Sequence, residues 1–112
     1  MAGKYIPDAG DVVWLNFDPQ LGREQSGHRP ALVISPASYN GKTGLMVCCP
    51  MTSHAKGYPF EVMIGSQGES IVLADQVKSL DWTQRQAAFK EKVPPPVLSE
   101  VKRKIYALLG RP

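Results

Sequence analysis

Apolar and polar positions along this chain switch every few residues, and the period changes only near the C-terminus. Residues 11–17 read Asp-Val-Val-Trp-Leu-Asn-Phe, a β-branched and aromatic run that is apolar on both faces. This predicts a strand covered from both sides, as in a small barrel. Asp18-Pro19 ends it, and a long polar loop is expected over residues 18–29. The apolar run 31–35 predicts a second strand, entered through Ser26-Gly27 and the rigid Pro30. Ser35-Pro36 then opens a short helix or helical turn, closed at Asn40-Gly41. Residues 45–50 predict a third strand with Pro50 near its end or at a bulge. A polar loop follows over 52–57, and a fourth strand over 58–64 is interrupted early by Pro59. Residues 65–68 are expected to turn. The runs 70–74 and 77–80 read as strand pieces flanking Asp75-Gln76, and 83–90 as a last short strand.

After Pro94-Pro95-Pro96 the period lengthens. Val97, Val101, Ile105 and Leu108 recur at steps of four, four and three, with Leu98 and Leu109 widening the stripe. This predicts a helix with one buried face, proline in its first turn and Gly110 at its C-terminal cap. Lys102-Arg103-Lys104 is expected on its solvated side. The whole pattern predicts a mainly β fold with a C-terminal α-helix, best met by a small SH3-like, partly open barrel.

Length and composition narrow the function classes. All 112 residues fit one domain with a modest core, and 43% hydrophobic with 21% charged residues is an ordinary globular balance. No stretch approaches the roughly 20 apolar residues of a membrane span, and residues 1–7 lack the apolar middle of a signal peptide. A cytoplasmic location is expected. The net charge of +3 permits an anionic partner such as RNA or an acidic protein segment. Cys48 and Cys49 are adjacent, so they should point to opposite faces and not pair. His28 and His54 are far apart and neither belongs to a ligand-spaced cluster, so no metal site is expected.

The segment Glu24-Gln25-Ser26-Gly27-His28-Arg29-Pro30 places an acid, an imidazole and a guanidinium at the mouth of a strand. Two readings are open on spacing alone: a surface ion pair, or a positioned functional site. Trp14, Tyr58 and Trp82 are candidates to stack on bases, but aromatics of a small barrel are first expected in its core.

That segment and several others, in order, resemble the MazF/PemK family of toxin endoribonucleases from bacterial toxin–antitoxin pairs. The others are Pro7-Asp8-Ala9-Gly10-Asp11, Asp18-Pro19, the strand end from Pro50 to Thr52, Lys56-Gly57-Tyr58-Pro59-Phe60-Glu61-Val62 and Leu73-Ala74-Asp75-Gln76-Val77-Lys78-Ser79. The resemblance covers nearly the whole chain. It implies a homodimeric SH3-like barrel that cleaves single-stranded mRNA at short motifs without metal or cofactor, and so inhibits translation and growth. It also implies a cognate antitoxin with an acidic tail. The family's essential arginine falls on Arg29, its threonine on Thr52 and its acidic partner on Glu24. Lys56, Gln76 and Lys78 fall where such proteins line the RNA channel, and Arg23 is a further phosphate-binding candidate. Asn16, the turn 65–70 and the loop 20–23 depart from the family pattern, which bears on the RNA motif recognised.

Metal-free RNA cleavage uses the ribose 2′-hydroxyl as nucleophile and leaves a 2′,3′-cyclic phosphate and a 5′-hydroxyl. Arg29 suits the phosphorane oxygens, since its planar fork stays charged. A guanidinium is a poor base at pH 7, so Glu24 and His28 are the easier acid–base candidates. His28, beside a strand, is first expected to be structural. The rival reading is a CcdB-like gyrase-poisoning toxin on the same fold. Such toxins rely on an aromatic-rich C-terminal end, whereas residues 108–112 read Leu-Leu-Gly-Arg-Pro. A non-catalytic SH3-like binding module is a further alternative.

Overall fold

The computed structural model describes residues 4–18, 27–65 and 70–110. Among them are seven strands and two α-helices: β1 (Asp11–Asn16), β2 (His28–Val33), α1 (Ala37–Thr43), β3 (Leu45–Thr52), β4 (Glu61–Ile64), β5 (Ser70–Leu73), β6 (Lys78–Asp81), β7 (Ala88–Lys92) and α2 (Pro95–Leu108), with one 3-10 turn at Ala74–Gln76. The sheet runs β4-β5-β3-β2-β1-β7, antiparallel throughout, with β6 on β3. The eight-residue β3 organises it. Residues 45–48 of β3 pair with β6, Met51 and Thr52 pair with β5, and residues 48–50 pair with β2 on the other edge. One strand that changes partners along its length curls the sheet into an open half-barrel. This is the mainly β, helix-ended small barrel expected from the sequence.

Alternation along the strands divides the apolar residues into two clusters. Val12, Leu32, Cys49, Met51, Val62 and Val72 face Val101 and Ile105 of α2. Val13, Leu15, Phe17, Ala31, Val33, Met46 and Cys48 form the second cluster on the other face. The adjacent cysteines therefore enter different clusters, both buried and unpaired. No described helix is long and apolar enough to cross a membrane.

Several elements differ from the sequence expectation. The second strand begins at His28 rather than Ala31, because Arg29 and His28 pair with Leu15 and Asn16 of β1. Pro30 lies within it, one residue outside the β2–β3 ladder. The first helix runs past Asn40-Gly41 to Thr43 and stops at Gly44, whose φ of 75° suits the helix-ending turn. Gly41 serves a different purpose: a Cβ there would stand 3.1 Å from the Ile6 side chain, which would have to give way, so glycine eases the helix's approach to the N-terminal segment. The fourth strand begins at Glu61, not Tyr58. Residues 56 and 57 instead donate their backbone N–H groups to the Glu61 carboxylate, which holds a turn before the strand. The last strand is Ala88–Lys92 rather than 83–90, since Asp81 accepts from the Thr83 and Gln84 backbone and fixes a turn there. In α2 the buried residues are Val101 and Ile105, whereas Leu109 is 72% exposed and Leu108 43%, so the stripe is narrower than its periodicity suggests.

Candidate active site

The β1–β2–β3 ladder brings the candidate residues together. Ala31 of β2 pairs with Pro50 of β3. Past the end of that ladder, Arg29 and Thr52 lie on the walls of one cleft. At this end of the sheet lies a cleft of about 540 Å³, within the range that takes small ligands. Gly27, His28, Arg29 and Pro30 form one wall and Met51, Thr52 and Ser53 another, with Trp14, Ser70 and Lys90 completing it. None of these lining residues is acidic, while Arg29 and Lys90 carry positive charge. The cleft is therefore suited to an anion.

Local hydrogen bonds hold the walls. The Thr52 hydroxyl oxygen accepts the His54 backbone N–H at 3.2 Å, so its own proton remains available to a ligand. The Phe17 N–H donates to the Gly27 carbonyl at 2.9 Å, and the Gly27 N–H donates to Asp18 Oδ1 at 2.8 Å. Asp18 in turn donates its N–H to Asn16 Oδ1. Arg85, distant in sequence, donates from Nη1 to the Asn16 and Asp18 carbonyls at 2.8 and 3.1 Å. The rim next to His28 is thus tied to the end of β1 from two directions.

His28 stacks on Trp14 with ring centroids 5.5 Å apart and planes at 9°. Trp14 is half-buried, with its ring on the cleft rather than wholly in the core. Tyr58, expected in the core, is 59% exposed, and the Lys56 ammonium lies 6.0 Å from its ring centre. Trp82 takes a structural place, donating its indole N–H to the Asn40 carbonyl at 2.9 Å.

Of the sequence-derived site residues, the fold brings Arg29, Thr52 and His28 to one cleft. Glu24 and Arg23 lie outside the described residues. Lys56, Gln76 and Lys78 do not line the cleft. Lys56 belongs to the turn before β4, and Gln76 ends the 3-10 turn. Lys78 starts β6 opposite Cys48, with its ammonium 5.7 Å from the Phe17 ring centre. Sequence reasoning marked Asp18-Pro19 as a motif without giving Asp18 a role, and did not find Lys90 or Arg85. The only sequence signal of the last two is their residue type, since each acts through a partner remote along the chain.

Comparison with known proteins bears on the family and the fold. Residues 8–109 match the family of PemK-like, MazF-like toxins of type II toxin–antitoxin systems. The endoribonuclease toxin MazF of Escherichia coli (strain K12) is 50% identical over 111 residues, covering 98% of this chain and all of that protein. The crystal structure of MazF from Deinococcus radiodurans superposes with a TM-score of 0.91 at 57% identity, covering 96% of this chain and 99% of that one. A MazE–MazF structure from the same organism (Form-II) superposes with a TM-score of 0.86 at 56% identity, covering 97% and 100%.

Proposed function

This chain belongs to the PemK-like, MazF-like toxin family of type II toxin–antitoxin systems, and on that premise we propose that it is an endoribonuclease toxin acting as one domain on single-stranded mRNA in the cytoplasm. It cuts at short sequence motifs, inhibits translation and growth, and is neutralised by a cognate antitoxin. The active species is a homodimer. The observation that carries this reading is the meeting of Arg29 and Thr52 on one cleft whose described lining carries no carboxylate. The names of the relatives, all endoribonucleases, support it over gyrase poisoning.

In the reaction, the 2′-hydroxyl attacks the neighbouring phosphorus in line, the P–O5′ bond breaks, and the products are a 2′,3′-cyclic phosphate and a 5′-hydroxyl. The nucleophile belongs to the substrate, so the step calls for no metal or cofactor. Arg29 holds two of the phosphorane oxygens through its guanidinium fork, and the Thr52 hydroxyl donates to the same oxygens. Glu24 accepts the 2′-hydroxyl proton, or orients Arg29 while water takes that proton, and the departing 5′-oxygen takes a proton from water. His28, stacked on Trp14, serves mainly to hold its wall of the cleft. Unpaired RNA is the substrate class because its bases can be splayed and stacked. Lys56, Gln76 and Lys78 extend the RNA track beyond the cleft, and Arg23 contributes a further phosphate contact.

The test is digestion of a long mixed-sequence RNA in excess chelator with mapping of the 5′-hydroxyl ends. Cleavage at recurring short motifs is expected, and Arg29→Ala and Thr52→Ala should each lose at least about 100-fold in kcat. Full cleavage by both variants, or cleavage abolished by the chelator, would overturn the mechanism.

A further inference from the structure

β7 ends the sheet beside β1, and its pairing is out of step at one point. Val12 pairs with Glu91 and Val13 with Phe89, so Lys90 is the extra residue of a β-bulge. The bulge changes which side chains share a face. Phe89 and Lys92, three residues apart, both reach the side of Tyr5. Phe89 meets the Tyr5 ring edge-on at 5.7 Å, and Lys92 Nζ lies 2.9 Å from Asp11 Oδ1. Lys90 goes to the other side, where its ammonium lies 5.8 Å from the Trp14 ring centre, and it lines the cleft that holds Arg29 and Thr52. Bulges commonly re-aim a side chain beside a functional site.

We propose that Lys90 is a phosphate-binding residue of the RNA site, holding the RNA backbone along the Trp14 side of the cleft. The proposal rests on the reading of this cleft as the RNA site. The indole gives the long lysine stem a surface to lie against and keeps its charge near the cleft. The neighbour of Lys90, Glu91, approaches its ammonium at 3.1 Å, but the two side chains are 33% and 46% exposed. Water screens such a pair, and a phosphate can displace it. Lysine is a point charge on a flexible stem, suited to a phosphate that is held, while Arg29 has the fork suited to the phosphate that reacts. Lys90 thus binds ground state and transition state alike, and its contribution appears in KM rather than kcat.

Lys90→Met keeps the stem on Trp14 and removes the charge, and Lys90→Arg keeps the charge. Steady-state cleavage of a short single-stranded RNA is measured for both across a salt series, with folding checked by thermal unfolding. Lys90→Met should raise KM about tenfold with kcat within about twofold. The slope of log KM against log salt should shrink by about 0.7, the value for one phosphate contact on a single strand. Lys90→Arg should restore both. An unchanged KM and slope in folded Lys90→Met, a loss confined to kcat, or folded Lys90→Arg as impaired as Lys90→Met would each overturn the assignment. When one of these results accompanies normal cleavage by the unsubstituted protein, the Lys90 assignment alone fails; if the unsubstituted protein cuts no RNA, the endoribonuclease reading fails, and the Lys90 assignment with it.

Discussion

Replacing Asp11 by asparagine tests the joint that fixes β7 to β1, and through it the bulge that presents Lys90. The Asp11 side chain is only 5% exposed. Its Oδ2 accepts the Tyr5 hydroxyl at 2.6 Å and the Asp8 N–H at 3.0 Å, while Oδ1 faces Lys92 Nζ at 2.9 Å. Burial by itself would raise the Asp11 carboxyl, but the bonds from Tyr5, Lys92 and Asp8 outweigh it and hold the group below the usual carboxylate range. Asparagine preserves the shape and removes the charge. Each retained bond then falls from charge-assisted to neutral strength, a loss of about 0.5–1 kcal/mol apiece. The Lys92 contact adds less than about 1 kcal/mol, since that lysine is largely in water. The sum is about 2 kcal/mol, or a Tm lower by about 6–10 °C for a domain of this size.

Urea and thermal unfolding across pH provide the assay. A depressed carboxylate contributes stability that is fully present above the ordinary value near 4 and disappears as pH falls through its lower folded value. The deficit of Asp11→Asn should therefore be constant from about pH 5 to 8 and shrink toward about pH 2. On the alkaline side the signs reverse. Asp11 raises the pKa of Lys92, and burial together with the Asp11 bond raises that of Tyr5. The stability from both is present below their ordinary values near 10 and is lost as pH rises through the raised ones. Stability within about 0.5 kcal/mol of the native protein at pH 7 would refute this account of the joint, as would a deficit undiminished in acid.

Two further outcomes follow from the interior. Asn40 is fully buried, accepts the Ser35 hydroxyl at 2.6 Å and donates to the Pro7 and Ser35 carbonyls at 2.7 and 2.9 Å. Asn40→Ala orphans all three groups and should cost about 3–5 kcal/mol by urea unfolding, with a loss under about 1 kcal/mol as the contrary result. Burial pushes the Cys48 thiol up to about 12 and raises Cys49 as well. A thiol reagent at pH 8 should label neither in the folded protein and both in urea, and rapid labelling of the folded form would contradict this placement.

How much was legible beforehand can be judged residue by residue. Val12 and Val13, or Cys48 and Cys49, belong to opposite clusters because neighbouring strand side chains alternate, and alternation is visible in any strand-like run. The C-terminal helix was equally visible at Val101 and Ile105. Its exposed end at Leu108 and Leu109 was not, because a helical period marks a face without saying where its packing partner stops. The strand start at His28 was hidden because polar residues become strand only through their partners on β1. Tyr58 was misjudged for a related reason: the Glu61 side chain captures the turn around Lys56 and Gly57, and that competes with extending β4.

The chain's own pattern determined a small, partly open barrel of short strands with one packing helix, because side-chain type and local period are carried by a linear sequence. Its resemblance to a known family, not its period, pointed to Arg29 and Thr52. Tertiary structure alone decided that Lys90 belongs beside Trp14, that Arg85 clamps the end of β1, and that Lys56, Gln76 and Lys78 stay off the cleft lining. Each is a matter of register between strands or of reach between distant segments. One extra residue in β7 turns a side chain to the other face of the sheet, and only the pairing with β1 reveals that it is extra.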